Sequence, residues 1–120
     1  MTAPSRALTS EEHALLAALL EGEWEGAEQG RLQLDTATHE GWWFTGSKSF
    51  DIAVDLDLPL IPRPDGILAP TDRNVYEGDT CTGGVMVWLS EGRISSFEYY
   101  WTTDEMPTRL PAPSDVVPRQ

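Results

Sequence analysis

The side chains best suited to chemistry are Cys81, His13, His39 and a set of clustered carboxylates. Cys81 lies in Thr80-Cys81-Thr82-Gly83-Gly84, a setting that suggests an exposed nucleophile on a glycine-rich loop. A thiol attacks as its thiolate, which needs a nearby base or a positive environment. No histidine is close in sequence and the flanking charges are acidic, so Cys81 is expected to do no chemistry. His13 and His39 lack the i, i+4 spacing of a helical zinc site. His13 is expected on a helix surface, and His39 is placed to pair with Asp35. No catalytic residue, metal ligand or cofactor is assigned.

Asp51, Asp55 and Asp57 share one parity of an alternating stretch. Three carboxylates along a strand spread over about 20 Å, whereas a hard cation needs oxygens that converge. They read as a solvated face. Glu21, Glu23, Glu25 and Glu28 cluster with no basic residue among them. That cluster is either a solvated turn or a docking patch for a basic partner, where complementary charge speeds association. The run Trp42-Trp43-Phe44 is the more unusual feature. Adjacent strand residues face opposite ways. With Trp42 and Phe44 in the core, Trp43 faces out, and an exposed tryptophan is a binding anchor. The same parity argument applies to Tyr99-Tyr100-Trp101. The candidate partner-binding set is therefore Glu23, Glu25, Glu28, Trp43, Asp51, Asp55 and Asp57.

Charge narrows the partner. The chain has eight Lys plus Arg against twenty Asp plus Glu, a formal net charge of −12 over 120 residues. Between Thr9 and Asp57, eleven acidic residues face only Arg31 and Lys48, a balance of −9. Such a field repels nucleic acid and anionic membranes and attracts basic surfaces. Cys81, as the single cysteine, cannot form an internal disulfide. The apolar run Ala14 to Leu20 is far short of the roughly 18 residues a membrane span needs. It follows Glu11 and Glu12 rather than a basic segment, unlike a signal peptide. A cytoplasmic protein, monomeric or homodimeric, is expected.

These residues need elements to hold them. The length and 40% apolar content indicate one domain over residues 1–120. Residues 1–8 read as a loose tail. Thr9-Ser10-Glu11-Glu12 is a capping box, and Leu15, Leu16, Leu19 and Leu20 form an apolar stripe, predicting a helix over 10–21 that stops at Gly22. Trp24 plugs the following turn, and Ala27 to Ala37 reads as a second helix weakened by Gly30. From Trp42 to Leu56 the period drops to two, with Gly46 marking a bulge or a break into two short strands. Leu58 to Pro70, with four prolines, is a loop pinned by Leu60 and Ile61. A short strand is expected at Asn74 to Tyr76. Gly84 to Leu89 and Ile94 to Trp101 form a hairpin turning at Ser90–Arg93. Met106 to Pro118 is proline-rich, and residues 111–120 read as an extended tail laid on the surface. The fold class is α+β: two N-terminal helices packed on an antiparallel β-sheet.

On these segments the chain resembles a family of small, functionally uncharacterised actinobacterial proteins. The resemblance rests on Leu8-Thr9-Ser10-Glu11-Glu12, Trp24-Glu25-Gly26-Ala27, Ser49-Phe50-Asp51-Ile52-Ala53-Val54-Asp55, Gly92-Arg93-Ile94-Ser95-Ser96-Phe97-Glu98-Tyr99 and Leu110-Pro111-Ala112-Pro113-Ser114-Asp115. Family members often carry a Cys-Gly-Cys-like stretch where this chain has Trp42-Trp43-Phe44-Thr45-Gly46, so no metal or redox role carries over. The resemblance implies the two-helix-then-strands order and brings no activity. The expected function is a small acidic protein-binding module, an immunity-type inhibitor of a basic toxin or nuclease. The alternatives are a structural adaptor or homodimer using the aromatic sheet face, and a small-molecule domain or enzyme with a tryptophan-lined pocket.

Overall fold

The computed structural model describes residues 5–118. Among them, helices α1 (Ser10–Leu19) and α2 (Ala27–Leu34) precede most of an eight-stranded sheet. The strands are β1 (Arg6–Ala7), β2 (Thr38–Trp42), β3 (Phe50–Ala53), β4 (Gly66–Ile67), β5 (Arg73–Glu77), β6 (Thr80–Ser90), β7 (Arg93–Trp101) and β8 (Val116–Pro118). All pairs are antiparallel, in the order β1-β2-β3-β7-β6-β5-β8, with β4 also on β6. This is the α+β arrangement that the sequence pattern predicts.

The capping box forms as read. The Glu12 amide donates to Thr9 Oγ1 (3.1 Å), and the Thr9 amide donates to Glu12 Oε1 (2.9 Å). Glu12 is nonetheless 3% exposed, and a buried carboxylate needs a partner. Arg6 supplies it with a two-pronged contact at 2.8 and 2.9 Å. That contact corrects the expected loose tail. Residues 1–4 lie outside the described residues, but Arg6 and Ala7 pair with His39 and Thr38 of β2.

α2 ends three residues before the predicted Ala37. Its Gly30 has a packing reason: a side chain there would begin 3.2 Å from the Trp24 ring that plugs the interhelical turn. Gln33 is fully buried and ties the helix to the sheet. Its amide nitrogen donates to the carbonyls of Pro59 (2.9 Å) and Gly92 (3.0 Å), and its oxygen accepts from the Ile94 amide (3.0 Å).

β6 and β7 are the predicted hairpin, extended back to Thr80. Ser90 pairs with Arg93 across Glu91 (φ 52°) and Gly92 (φ 78°), both left-handed as a type I′ turn requires. Of the two alternatives at Gly46, the break is the one that forms: the chain makes two strands, β2 ending at Trp42 and β3 ending at Ala53, short of the expected Leu56. The chain reverses through residues 43–49, where Gly46 has φ 83° and Ser47 Oγ accepts from the Ser49 amide (2.9 Å).

Ile61 pins the long loop, at 1% exposure with its amide on Gly92 O (2.8 Å), whereas Leu60 is 51% exposed. Gly66–Ile67 within that loop pairs with β6, a strand the prolines concealed. The expected surface tail is also corrected. Val116 is buried opposite Val75, and Pro118 is accommodated because β8 is an edge strand with no neighbour needing its missing N–H.

Leu15, Leu16, Leu19, Leu20 and Leu34 pack on Phe50, Ile52, Val85, Val87 and Phe97 to form one core. No helix among the described residues is long and apolar enough to cross a membrane.

Candidate functional site

The core side chains fix what the other face of the sheet displays. Phe50, Ile52, Val85, Val87, Phe97 and Tyr99 point toward the helices, so Asp51, Met86, Trp88, Ser96, Glu98 and Tyr100 lie on the helix-free face. Register aligns Asp51, Ser96, Trp88 and Ile67 in one band across β3, β7, β6 and β4. Two indoles are tied to carboxylates on this face. Trp88 Nε1 donates to Glu98 Oε1 (3.0 Å), and Trp43 Nε1 donates to Asp51 Oδ1 (3.1 Å). The Tyr100 ring lies over Gly84, its cross-strand neighbour, and would have to shift to admit a side chain there.

The parity expectation for Trp42, Trp43 and Phe44 is corrected in one respect. Trp42 pairs with Phe50 on the core side and Trp43 reaches Asp51 on the other, so the faces do differ. Neither ring is buried: Trp42, Trp43 and Phe44 are 41%, 41% and 48% exposed. β2 ends at Trp42, so Trp43 and Phe44 ride the reversal instead of a strand. Trp42 packs edge-on against His39 (4.4 Å between ring centres), with Lys48 and Arg6 over its ring at 5.3 and 5.8 Å. Of the second aromatic run, Tyr99 is buried and Tyr100 and Trp101 are half-buried.

The seven candidate residues do not converge. Trp43 and Asp51 meet on the open face. Glu23, Glu25 and Glu28 are exposed around the link between α1 and α2, in the helix layer. Asp55 and Asp57 do not continue the strand face of Asp51, because β3 stops at Ala53. The Asp55 amide donates instead to Thr36 Oγ1 (3.0 Å), and the Asp57 amide to Asp55 Oδ1 (2.9 Å).

His13 lies on the surface as expected, but the pairing with Asp35 expected of His39 falls to His13 instead. His13, on the exposed side of α1, is the one near Asp35, at 3.8 Å. His39 is 1% exposed, stacked on Phe50 at 4.3 Å, with Nδ1 accepting from the Gly41 amide (3.2 Å) and Nε2 unpartnered. Burial, reinforced by Arg6, lowers its pKa and holds it neutral. Cys81 is exposed, its thiol directed at Gly83 O (3.5 Å). Among the described residues, no three His, Cys, Asp or Glu side chains gather as metal ligands.

A second feature joins segments that are remote in the sequence. A cavity of about 1110 Å³ lies between the first turns of α1, the ends of β5, β6 and β7, and residues 103–115. Val75, Tyr76, Thr82 and Tyr99 contribute to its wall, Met106 and Leu110 lie on the opposite segment, and no tryptophan lines it. Burial, then the charge of Glu77, pushes the Tyr99 phenol above its ordinary pKa. It is not the tryptophan-lined pocket between helices and sheet that the sequence offers as an alternative, and nothing local in the sequence shows that the proline-rich segment folds back over the strand ends.

Comparison with family models, with known proteins and with solved structures finds no match for this chain.

Proposed function

We propose that the chain is a small acidic protein-binding module that docks a basic protein partner on its open sheet face, as an immunity-type inhibitor of a basic toxin or nuclease would. One observation carries the reading: the indole–carboxylate pairs Trp43–Asp51 and Trp88–Glu98 on a helix-free face. With each N–H committed to a carboxylate, the rings offer their π faces and the carboxylates keep further lone pairs. A lysine or arginine side chain is the complement of both. The net charge of −12 favours the same partner and opposes nucleic acid. Of the helix-layer acids, Glu23, Glu25 and Glu28 contribute to the long-range field rather than to the contact.

The test begins with partner capture from the native cell at low and high salt, followed by surface kinetics with the purified partner. Trp88→Ala should accelerate dissociation, and reversal of Glu23, Glu25 and Glu28 to Lys should slow association. Binding that is salt-independent and insensitive to both changes would remove the inhibitor reading. A homodimer through the same face is the second reading, supported by the exposed Ile67 and Val117. It requires the −12 surfaces of two copies to meet.

A further inference from the structure

A bulge in β2 decides which way Trp43 faces, and a buried imidazole holds that bulge. His39 pairs with Ile52 and Gly41 with Asp51, so β2 takes two steps where β3 takes one. His39 and Trp42 both pack on Phe50, at 4.3 and 5.8 Å between ring centres. In an unbroken strand, residues three apart face opposite ways. The extra residue therefore brings Trp42 round to the core side and sends Trp43 to Asp51 on the open face. Gly41 (φ 138°) supplies the backbone form, and its amide donates to His39 Nδ1 (3.2 Å). That bond occupies the ring's one lone pair, so the proton sits on Nε2, which is buried without a partner.

The charges around the ring come from three elements. Arg6 on β1 is its register partner, Glu12 on α1 is tied to Arg6, and Glu40 follows it on β2. Phe50 and Ile52 face it from β3 and bring no charge, while Asp51 points to the far face. Lys48, from the reversal, stands over the Trp42 ring instead. Burial is the largest influence and Arg6 adds to it, against the pull of Glu12 and Glu40. A second proton must enter at Nδ1, where it meets the Gly41 N–H. The imidazolium would lose its only hydrogen bond in a dry site, so it cannot keep its place.

We propose that His39 is an acid-sensitive latch on the docking face: a proton at Nδ1 breaks the Gly41 bond, undoes the bulge and releases Trp43 from Asp51. The latch regulates the proposed docking face and rests on that reading for its consequence, release of a basic partner on acidification. The Trp88–Glu98 pair lies on β6 and β7, away from the bulge, and stays in place.

The test needs no partner. NMR spectra of the full chain, recorded as pH is lowered, follow the His39 imidazole and the indole N–H groups of Trp43 and Trp88. The informative window runs from 6.5, the ordinary histidine value, down to 4.5, below which Glu12 titrates. Within it, the Trp43 indole should shift with the midpoint of the His39 imidazole while the Trp88 indole holds its position. Protection of the Gly41 amide from exchange, corrected for pH, should fall about tenfold. His39→Phe keeps a ring on Phe50 and removes the proton site, so the Trp43 response should vanish. His13→Gln removes the exposed histidine and should leave that response intact. The two indoles moving together would report general unfolding and overturn the proposal. So would a Trp43 indole that stays still while His39 titrates, a response that survives in His39→Phe, or a His39 that remains neutral down to pH 4.5. The comparison of Trp43 with Trp88 in the natural chain decides even if His39→Phe does not fold. Failure to bind any basic partner would remove the docking reading alone.

Discussion

On the open face, Trp43 and Trp88 give their N–H groups to Asp51 and Glu98, whereas in the cavity no hydrogen bond among the described residues joins the Tyr99 phenol to a carboxylate. Both regions combine aromatics with carboxylates, yet only one ties the two together. The satisfied face is a rigid platform whose rings are already oriented, which suits a large partner that cannot enter a cleft. The cavity wall shows no such pairing among the described residues: its phenol and its carboxylates come from separate segments of the chain. Aromatic and acidic composition alone therefore does not show how a surface is organised. The hydrogen bonds between its polar groups do.

Four changes break or sharpen that contrast, beginning with the one that should abolish it. Phe50 is 1% exposed and packs on His39, Trp42 and Phe97, in the core that supports the sheet. Phe50→Ala should cost about 3–5 kcal/mol in urea unfolding and impair platform and cavity together. If platform binding survived that loss intact, the two regions would not share a support.

Glu12→Ala comes next, because it removes the partner of Arg6 and half of the capping box of the helix that borders the cavity. The Arg6 side chain is 38% exposed and returns to water, so a loss of about 2 kcal/mol is expected, with the cavity disturbed more than the open face. Burial opposes the charged Glu12, but hydrogen bonds from Arg6 and Thr9 outweigh it and lower its pKa below the ordinary 4.5. A lowered folded-state pKa means this stabilisation is fully present above pH 4.5 and is lost as pH falls through the lower folded value. Acid titration of unfolding free energy should therefore be shallower below pH 4.5 in Glu12→Gln than in the natural chain.

Trp43→Ala sharpens the contrast from the other side. It should accelerate partner dissociation by about 2 kcal/mol if Trp43 is an anchor, while urea unfolding shifts by less than about 0.5 kcal/mol. Smallest of all is Cys81→Ser, which should alter stability by less than about 0.5 kcal/mol and leave partner binding intact. A loss of binding in that variant, with an unchanged circular dichroism spectrum, would reveal a role for the thiol that its setting does not indicate.

Much of the helix layer was legible because its signals are local. The Thr9–Glu12 box and the leucines of α1 lie within a dozen residues, and the β6–β7 hairpin announces itself by β-branched arms around Glu91-Gly92. The partner set was less legible. Alternation suggested one strand through Asp57, but strand length depends on pairing, and β7 pairs only with Phe50 and Asp51 of β3. The burial of His39 was equally hidden, since its neighbours Arg6, Glu12 and Phe50 come from three separate elements.

The sequence by itself determined the acidic field, the two helices with their cap, the central hairpin and the α+β class. Each follows from composition or from interactions only a few residues apart. Tertiary structure alone decided that Trp43 meets Asp51, that Trp88 stands in line with Asp51, and that residues 103–115 border a half-open cavity beside Tyr99. Such juxtapositions are set by strand register and by the path of a segment whose anchors lie far away. Neither leaves a periodicity or a motif in the chain, because the contacts join residues that the sequence keeps apart.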